Sequence, residues 1–134
     1  MNWLRKLCHG DKGQGLVEMA LVLPVLLILF MGIFEFGRIF GGYLEISNLA
    51  REGARYGAVG QGDTQIEQTL KSECAFLNGN ELIVSISPEP VDRIKGSPLE
   101  VTVDYSLPLV SPLISDLLPN PFPLTAHCFM RIER

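Results

Sequence analysis

The sequence has few basic residues and few histidines. Lys and Arg together number 11 against 15 Asp and Glu, which gives a formal net charge of -4. No large basic surface is therefore available to neutralise phosphates, and we do not expect the protein to bind nucleic acid. His9 and His127 are isolated in the sequence, and no spacing of His and Cys indicates a zinc site. We expect no metal and no other cofactor.

Motifs of the common enzyme classes are also missing from the sequence. It has no P-loop, no glycine-rich dinucleotide fingerprint and no nucleophile elbow. His127 and Cys128 are adjacent, but neighbours in a strand point to opposite faces of a sheet, so we do not expect them to act together. The sequence therefore predicts a protein that is not an enzyme and has no small-molecule substrate.

What the sequence does have is one long apolar run. Residues 16–34 are almost all apolar, and the uncharged stretch Met19–Phe34 would be about 24 Å long as a helix. With Leu16 and Val17 this is nearly enough to cross a hydrocarbon core of about 30 Å. We therefore predict that this run is a transmembrane helix. Glu18 and Glu35 must then lie near the two membrane boundaries, or one of them must be buried against something.

The charges around the run predict its orientation. Arg5, Lys6 and Lys12 precede it against the single acid Asp11, so the N-terminus should be cytoplasmic by the positive-inside rule. After the run, Glu35 and Arg38 have the i,i+3 spacing of a helical ion pair. A signal cleavage site needs small residues just after the apolar core, but here the sequence is FEFGR and the helical pattern continues. We therefore expect the segment to be retained as a membrane anchor.

The rest of the chain predicts an α+β fold. The long helix should continue through Gly41 and Gly42 and present a face of mostly small residues, and Pro24 either kinks it or is tolerated without consequence. A second helix, capped by Asp63 or Thr64, should run to about Leu77. Alternating apolar residues then predict three strands, so that the long helix packs on a small antiparallel sheet. The alternation is clearest in ELIVSIS, PLEVTVDY and the last residues of the chain.

Two features of this outer part leave alternatives open. The apolar, proline-rich segment PLVSPLISDLLPNPFP between the last two strands is favoured as cover for the core, but it could instead form an exposed patch for another subunit or the bilayer surface. Cys74 and Cys128 could form a disulfide in an oxidising compartment, or each could be a small buried apolar residue. Cys8 precedes the apolar run and would face the reducing cytoplasm.

The residues GQGLVEM stand at the start of the run, with Gly13 followed five residues later by Glu18. A carboxylate in a membrane helix costs about 2.5 to 3.5 kcal/mol at the centre and less near the edge, so a partner for Glu18 is implied. This register resembles type IV pilin-like proteins, which a prepilin peptidase cuts after a glycine. The resemblance sharpens with NLAREGARYGA and the terminal HCFMRIE, which look like the TadE-like pseudopilins of tight-adherence (Flp) pilus systems.

The resemblance implies a pilin-like α+β protein with three segments. Residues 1–13 would be a cytoplasmic leader cut between Gly13 and Gln14, residues 14–40 the transmembrane helix, and residues 41–134 the extracytoplasmic domain. Glu18 would meet the new amine of a neighbouring subunit during assembly. The implied protein is a minor pseudopilin of the bacterial inner membrane, with other pseudopilins, the assembly platform and the prepilin peptidase as partners. The alternative is an uncut membrane-anchored envelope protein whose outer domain binds a partner or ligand.

Overall fold

The computed structural model of the protein describes residues 11–133. The residues on which the predicted cytoplasmic flank depends most, Arg5 and Lys6, lie outside this range, as does Cys8. Within it, a single long helix carries a small α+β domain on its second half.

Helix α1 spans Asp11–Ala58, 48 residues, and is about 72 Å long at 1.5 Å per residue. It continues without interruption through Pro24 and through Gly41 and Gly42. Its side chains are exposed from residue 14 to residue 30 and become buried only farther along. The helix ends where Gly60 adopts a positive φ of 86°, a conformation that favours glycine at a helix C-terminus.

Helix α2 spans Asp63–Glu73 and buries Ile66 and Leu70. The helix begins at the predicted place, but its N-cap is Gly62 and no side chain caps it, so the predicted cap at Asp63 or Thr64 is wrong. The predicted end near Leu77 is wrong by four residues. Beyond Glu73 the backbone N–H groups of residues 75–77 bind the side chain of Glu45 on α1 instead of continuing the helical hydrogen bonds. A tertiary contact therefore decides where this helix stops.

The sheet has three antiparallel strands in the order β1, β2, β3, which confirms the predicted α+β fold. Strand β1 spans Ile83–Ser87, β2 spans Pro98–Leu107 and β3 spans Phe122–Arg131. A short helix, α3, spans Pro112–Ser115 between β2 and β3. Two turns of 3-10 helix, Gly79–Glu81 and Pro90–Asp92, flank β1.

The core lies between the sheet, α2 and the second half of α1. Alternate residues of β2 turn inward, as predicted, and α1 meets them with small side chains. A Cβ atom added to Gly57 would lie 2.6 Å from Leu99 Cδ2, and one added to Gly53 would lie 3.0 Å from Val101 Cγ1. The glycines therefore let helix and sheet approach closely. The most deeply buried apolar residues are Ile46, Ala50, Ala54, Ile66, Leu70, Leu99, Val101 and Val103.

The two ends of the sheet contact different parts of α1. Leu99, at the start of β2, packs at Gly57 near the end of α1. The end of β2 and the start of β3 lie near residues 35–43, because Phe122 and Leu124 share a groove with Phe36 and Tyr43. The segment joining β2 to β3, residues 108–121, is thus at the end of the domain closest to the apolar run.

The favoured prediction is that the apolar residues of this segment cover the core, but most of them are exposed. Leu109 and Ser111 are buried, but Val110, Leu113, Leu117 and Leu118 are exposed. Core cover is therefore wrong for most of the apolar residues. The reason is that β2, β3 and α1 already close the core at this end, so the remaining leucines have no interior surface to fill.

Candidate functional site

The candidate assembly site lies at the start of α1. Gly13 and Gln14 are in its first turn, and Glu18 follows one turn later with an exposed side chain. Among the described residues, no group forms a hydrogen bond or ion pair with the side-chain carboxylate of Glu18. Residues four apart share one face of a helix, so an amine created at Gln14 and the Glu18 carboxylate would lie on the same side.

The helix around Glu18 is long and apolar enough to cross a membrane. Its most apolar window of 18 residues has a mean hydropathy of 2.6, and none of that window is buried in the structure. Exposed leucines, valines and phenylalanines continue from Leu16 to Phe34. The helix therefore has a continuous exposed apolar surface, with the carboxylate of Glu18 near its start. Both the apolar surface and the carboxylate can contact groups from outside the chain.

Glu35, at the other end of the apolar run, has the opposite environment. Its side chain is only 1% exposed, and its Oε1 accepts a hydrogen bond from Arg38 Nη1 at 2.9 Å. The backbone N–H of Ser111 donates to Oε2 at 3.1 Å, and that of Val110 donates at 3.3 Å. Arg38 also donates to the carbonyl oxygen of Pro108 at 3.2 Å. The predicted ion pair is confirmed.

The Glu35 cluster joins the apolar run to the outer domain. A buried carboxylate is stable only when it is paired and hydrogen-bonded, and here one cation and two backbone donors meet that need. The two donors come from residues 75 and 76 positions away along the chain. Sequence reasoning anticipated that one glutamate could be buried against something, but it did not identify the segment that buries it.

Glu45 organises a third cluster, which sequence reasoning missed. Its carboxylate accepts hydrogen bonds from the N–H groups of Ala75 at 2.6 Å, Phe76 at 2.8 Å and Leu77 at 2.9 Å. Three consecutive backbone donors form a concave site for an anion. The side chain thereby ties the segment after α2 to the middle of α1. No local pattern marks Glu45 among the other acids of the helix.

Cys74 lies beside this cluster as a free thiol. Its Sγ donates to the carbonyl oxygen of Leu77 at 3.3 Å. Burial raises the pKa of the Cys74 thiol, and the nearby negative charge of Glu45 raises the pKa further. The thiolate is the reactive form, so this cysteine is less reactive at neutral pH than an open thiol.

Cys128 is also a free thiol and is not bonded to Cys74. It lies on β3 and lines a shallow groove of about 260 Å³ with Tyr43, Ser47 and Arg51 of α1. Cys74 instead lies near Glu45 of α1. Because Glu45 is two positions from both Tyr43 and Ser47 along the helix, it points to a different side of α1 from those two residues. The structure does not bring the two cysteines together, and the disulfide stays a prediction.

Chemically active groups are sparse elsewhere in the domain. Within residues 11–133, no cluster of three or more His, Cys, Asp or Glu residues could hold a metal ion. His127 is exposed on the outer face of β3 and contacts Phe129 edge to face, whereas Cys128 is partly buried on the inner face. The predicted separation of His127 and Cys128 is confirmed.

A second groove lies where β3 meets α1, at the level of the Glu35 cluster. It has a volume of about 300 Å³ and a mainly aromatic and aliphatic lining. Phe36 and Phe40 stack in parallel beside it, with ring centroids 6.2 Å apart. The groove opens next to the apolar run rather than at the far end of the domain.

The fold and the exposed first half of α1 together define a class of protein. Within residues 11–133, one helix is long and apolar enough to cross a membrane, and an α+β domain is folded on its second half. Residues 13–55 match the profile of the family described as TadE-like protein. The resemblance predicted from the sequence is confirmed over this segment. The match covers about a third of the chain and lies wholly within α1. No curated protein and no solved structure matches the chain. The family indicates a component associated with the tight-adherence (Tad) pilus machinery.

Proposed function

We propose that the protein is a minor pseudopilin that takes part in starting or assembling a tight-adherence (Flp) pilus. It is made as a precursor, cut after Gly13 by a prepilin peptidase, and held in the bacterial inner membrane by α1, with the domain over residues 41–134 on the outer side. It has no enzymatic role. The observation that carries the proposal is the exposed, unpaired Glu18 at the start of an apolar helix that matches the TadE-like family.

Electrostatics supports the assembly step. Glu18 at the lipid edge has no countercharge among the described residues, and an ion there is costly without a partner. Cleavage after Gly13 creates an amine at Gln14 one helical turn from the carboxylate. When two such helices lie side by side in lipid, the amine of one pairs with the carboxylate of the other, and both charges are compensated. The partners are other pseudopilins and the assembly platform.

The N-terminus of the protein tests this proposal. We expect mass spectrometry of protein extracted from membranes with an active prepilin peptidase to find Gln14 as the first residue. Gly13→Ala should leave a persistent full-length band. Gly32→Ala is the matched control, because a Cβ atom there meets nothing within 4 Å, and it should be processed normally.

The competing function is that of an uncut membrane-anchored envelope protein. The observation that favours it is the apolar groove between α1 and β3, which could receive an apolar ligand or a partner segment. An N-terminus at Met1 in the presence of the active peptidase would support this reading and overturn the pseudopilin proposal.

A further inference from the structure

The segment between β2 and β3 carries an exposed apolar surface. Val110, Leu113 and Leu117 are 67%, 56% and 87% exposed, and Leu118 is exposed as well. We call these four residues the loop patch. Asp116 is the only charged residue between positions 108 and 121. Exposed apolar side chains concentrated in this way mark a surface that contacts another molecule or a membrane.

The height of the loop patch along α1 is fixed by hydrogen bonds. The N–H groups of Val110 and Ser111 bind Glu35, and α3 follows directly and contacts α1. Met31 is partly buried, whereas residues 14–30 are all exposed. The segment therefore lies beside the last turn of the apolar run, not above it.

This height coincides with a membrane boundary. From Leu16 to Phe34 the helix rises about 28 Å, close to the thickness of a hydrocarbon core of about 30 Å. When this run spans a bilayer, Glu35 and Arg38 lie at its outer edge, and the loop patch lies at the same level. The apolar surface of the loop is thus continuous with helix surface that is itself in lipid.

We propose that the loop patch is a second membrane contact, which inserts its leucines among the lipids at the outer boundary of the bilayer. Apolar faces of interfacial segments lie about 5 to 10 Å into the boundary between headgroups and acyl chains. Deeper insertion is excluded, because the irregular backbone of the loop would lose its hydrogen bonds to water. With α1 and the loop both anchored, the outer domain has a fixed height and a fixed orientation on the membrane. This proposal requires α1 to span the bilayer but does not require leader cleavage.

Tryptophan placed in the patch tests the contact. We would use the full-length, uncut chain with Trp3→Phe and Leu117→Trp, in phospholipid nanodiscs that hold one chain each, with and without brominated acyl chains. The control is Val91→Trp, because Val91 is 93% exposed and lies in the connection at the opposite end of the sheet, beyond the pairing of Ser87 with Glu100. We expect brominated lipid to quench the tryptophan at 117, whose emission is also shifted to the blue, and to leave the one at 91 unchanged.

Equal exposure of both tryptophans to aqueous acrylamide, with no quenching by brominated lipid, would overturn the proposal. Protection at position 117 that appears only with two or more chains per disc would also overturn it and would assign the patch to a second copy. Leu113→Trp provides a second probe in case Leu117→Trp does not fold. Because the uncut chain is used, failure here is distinguishable from failure of the pseudopilin proposal.

Discussion

The two halves of α1 follow different rules although they form one helix. From residue 14 to residue 30 every side chain is exposed, whereas Ile46, Ala50 and Ala54 in the second half are almost fully buried. Each half also has a glutamate at an end of the apolar run. Glu35 has a cation and two backbone donors from its own chain, while Glu18 has no partner among the described residues. The side chains of the first half are therefore available for contacts with other molecules, whereas those of the second half contact the rest of the same chain.

The largest effect on pilus assembly is expected at Glu18. Glu18→Gln keeps the size of the side chain and removes its charge, so the amine of a neighbouring subunit loses its countercharge. A loss of about 1.4 kcal/mol at this contact corresponds to a tenfold loss of assembly, and we expect at least that in pilus number by electron microscopy.

Leader cleavage and the unfolding of the outer domain should be unchanged by Glu18→Gln. The control is Glu52→Gln in the second half of α1, where the contact with Arg55 is long, at 3.9 Å, and exposed. Normal piliation in the Glu18→Gln strain would remove Glu18 from the mechanism.

Glu35→Ala should act on folding rather than directly on assembly, with a large loss of stability of the outer domain. It leaves Arg38 and the N–H groups of Val110 and Ser111 without their acceptor. Breaking a buried ion pair from one side costs about 3 kcal/mol or more, so we expect the free energy of unfolding to fall by about that amount in detergent, followed by near-ultraviolet circular dichroism.

The matched change Glu52→Ala should cost less than about 1 kcal/mol, because it removes only an exposed pair. If both variants lost the same small amount, Glu35 would not hold the loop to the helix, and the contrast between the two ends of the apolar run would disappear.

A pair of glycines tests the packed face of α1 against its bare face. In Gly57→Ala the new methyl group would lie 2.6 Å from the buried side chain of Leu99, and we expect overpacking to cost about 1 to 2 kcal/mol. In Gly37→Ala the methyl group meets nothing within 4 Å, and better helix propensity should give up to about 1 kcal/mol. Urea unfolding in detergent measures both, and a sign opposite to these for either variant would contradict the packing described for that face.

The smallest effect concerns the Cys74 thiol. Burial and the charge of Glu45 raise the pKa of this thiol. The rise of the alkylation rate with pH should therefore occur at a higher pH for Cys74 than for an exposed cysteine. We would measure it by iodoacetamide labelling in a chain with Cys8→Ser and Cys128→Ser. Glu45→Gln removes the negative charge while keeping an acceptor, so the profile should move to lower pH. An unchanged profile would exclude Glu45 as a cause.

Much of the fold could be predicted from the sequence, because it depends on neighbours along the chain. The alternation of Leu99, Val101 and Val103 predicts a strand with one buried face, and the structure confirms it. The spacing of Glu35 and Arg38 predicts their ion pair. For the candidate site, GQGLVEM and the apolar run indicate the family that matches residues 13–55, while the cleavage site and the role of Glu18 stay predictions.

The sequence by itself determined the apolar helix, the order of α1, α2 and the three strands, and which face of β2 is buried, since periodicity and charge are local properties. The short helix α3 was not predicted. Only the tertiary structure decided where α2 ends, because Glu45 acts there from 30 to 32 residues away. It also decided that Glu35 is buried under a segment 75 residues distant and that the leucines beyond that segment remain exposed. Such contacts depend on how the chain folds back on itself, so they cannot be predicted from the residues that are close in sequence.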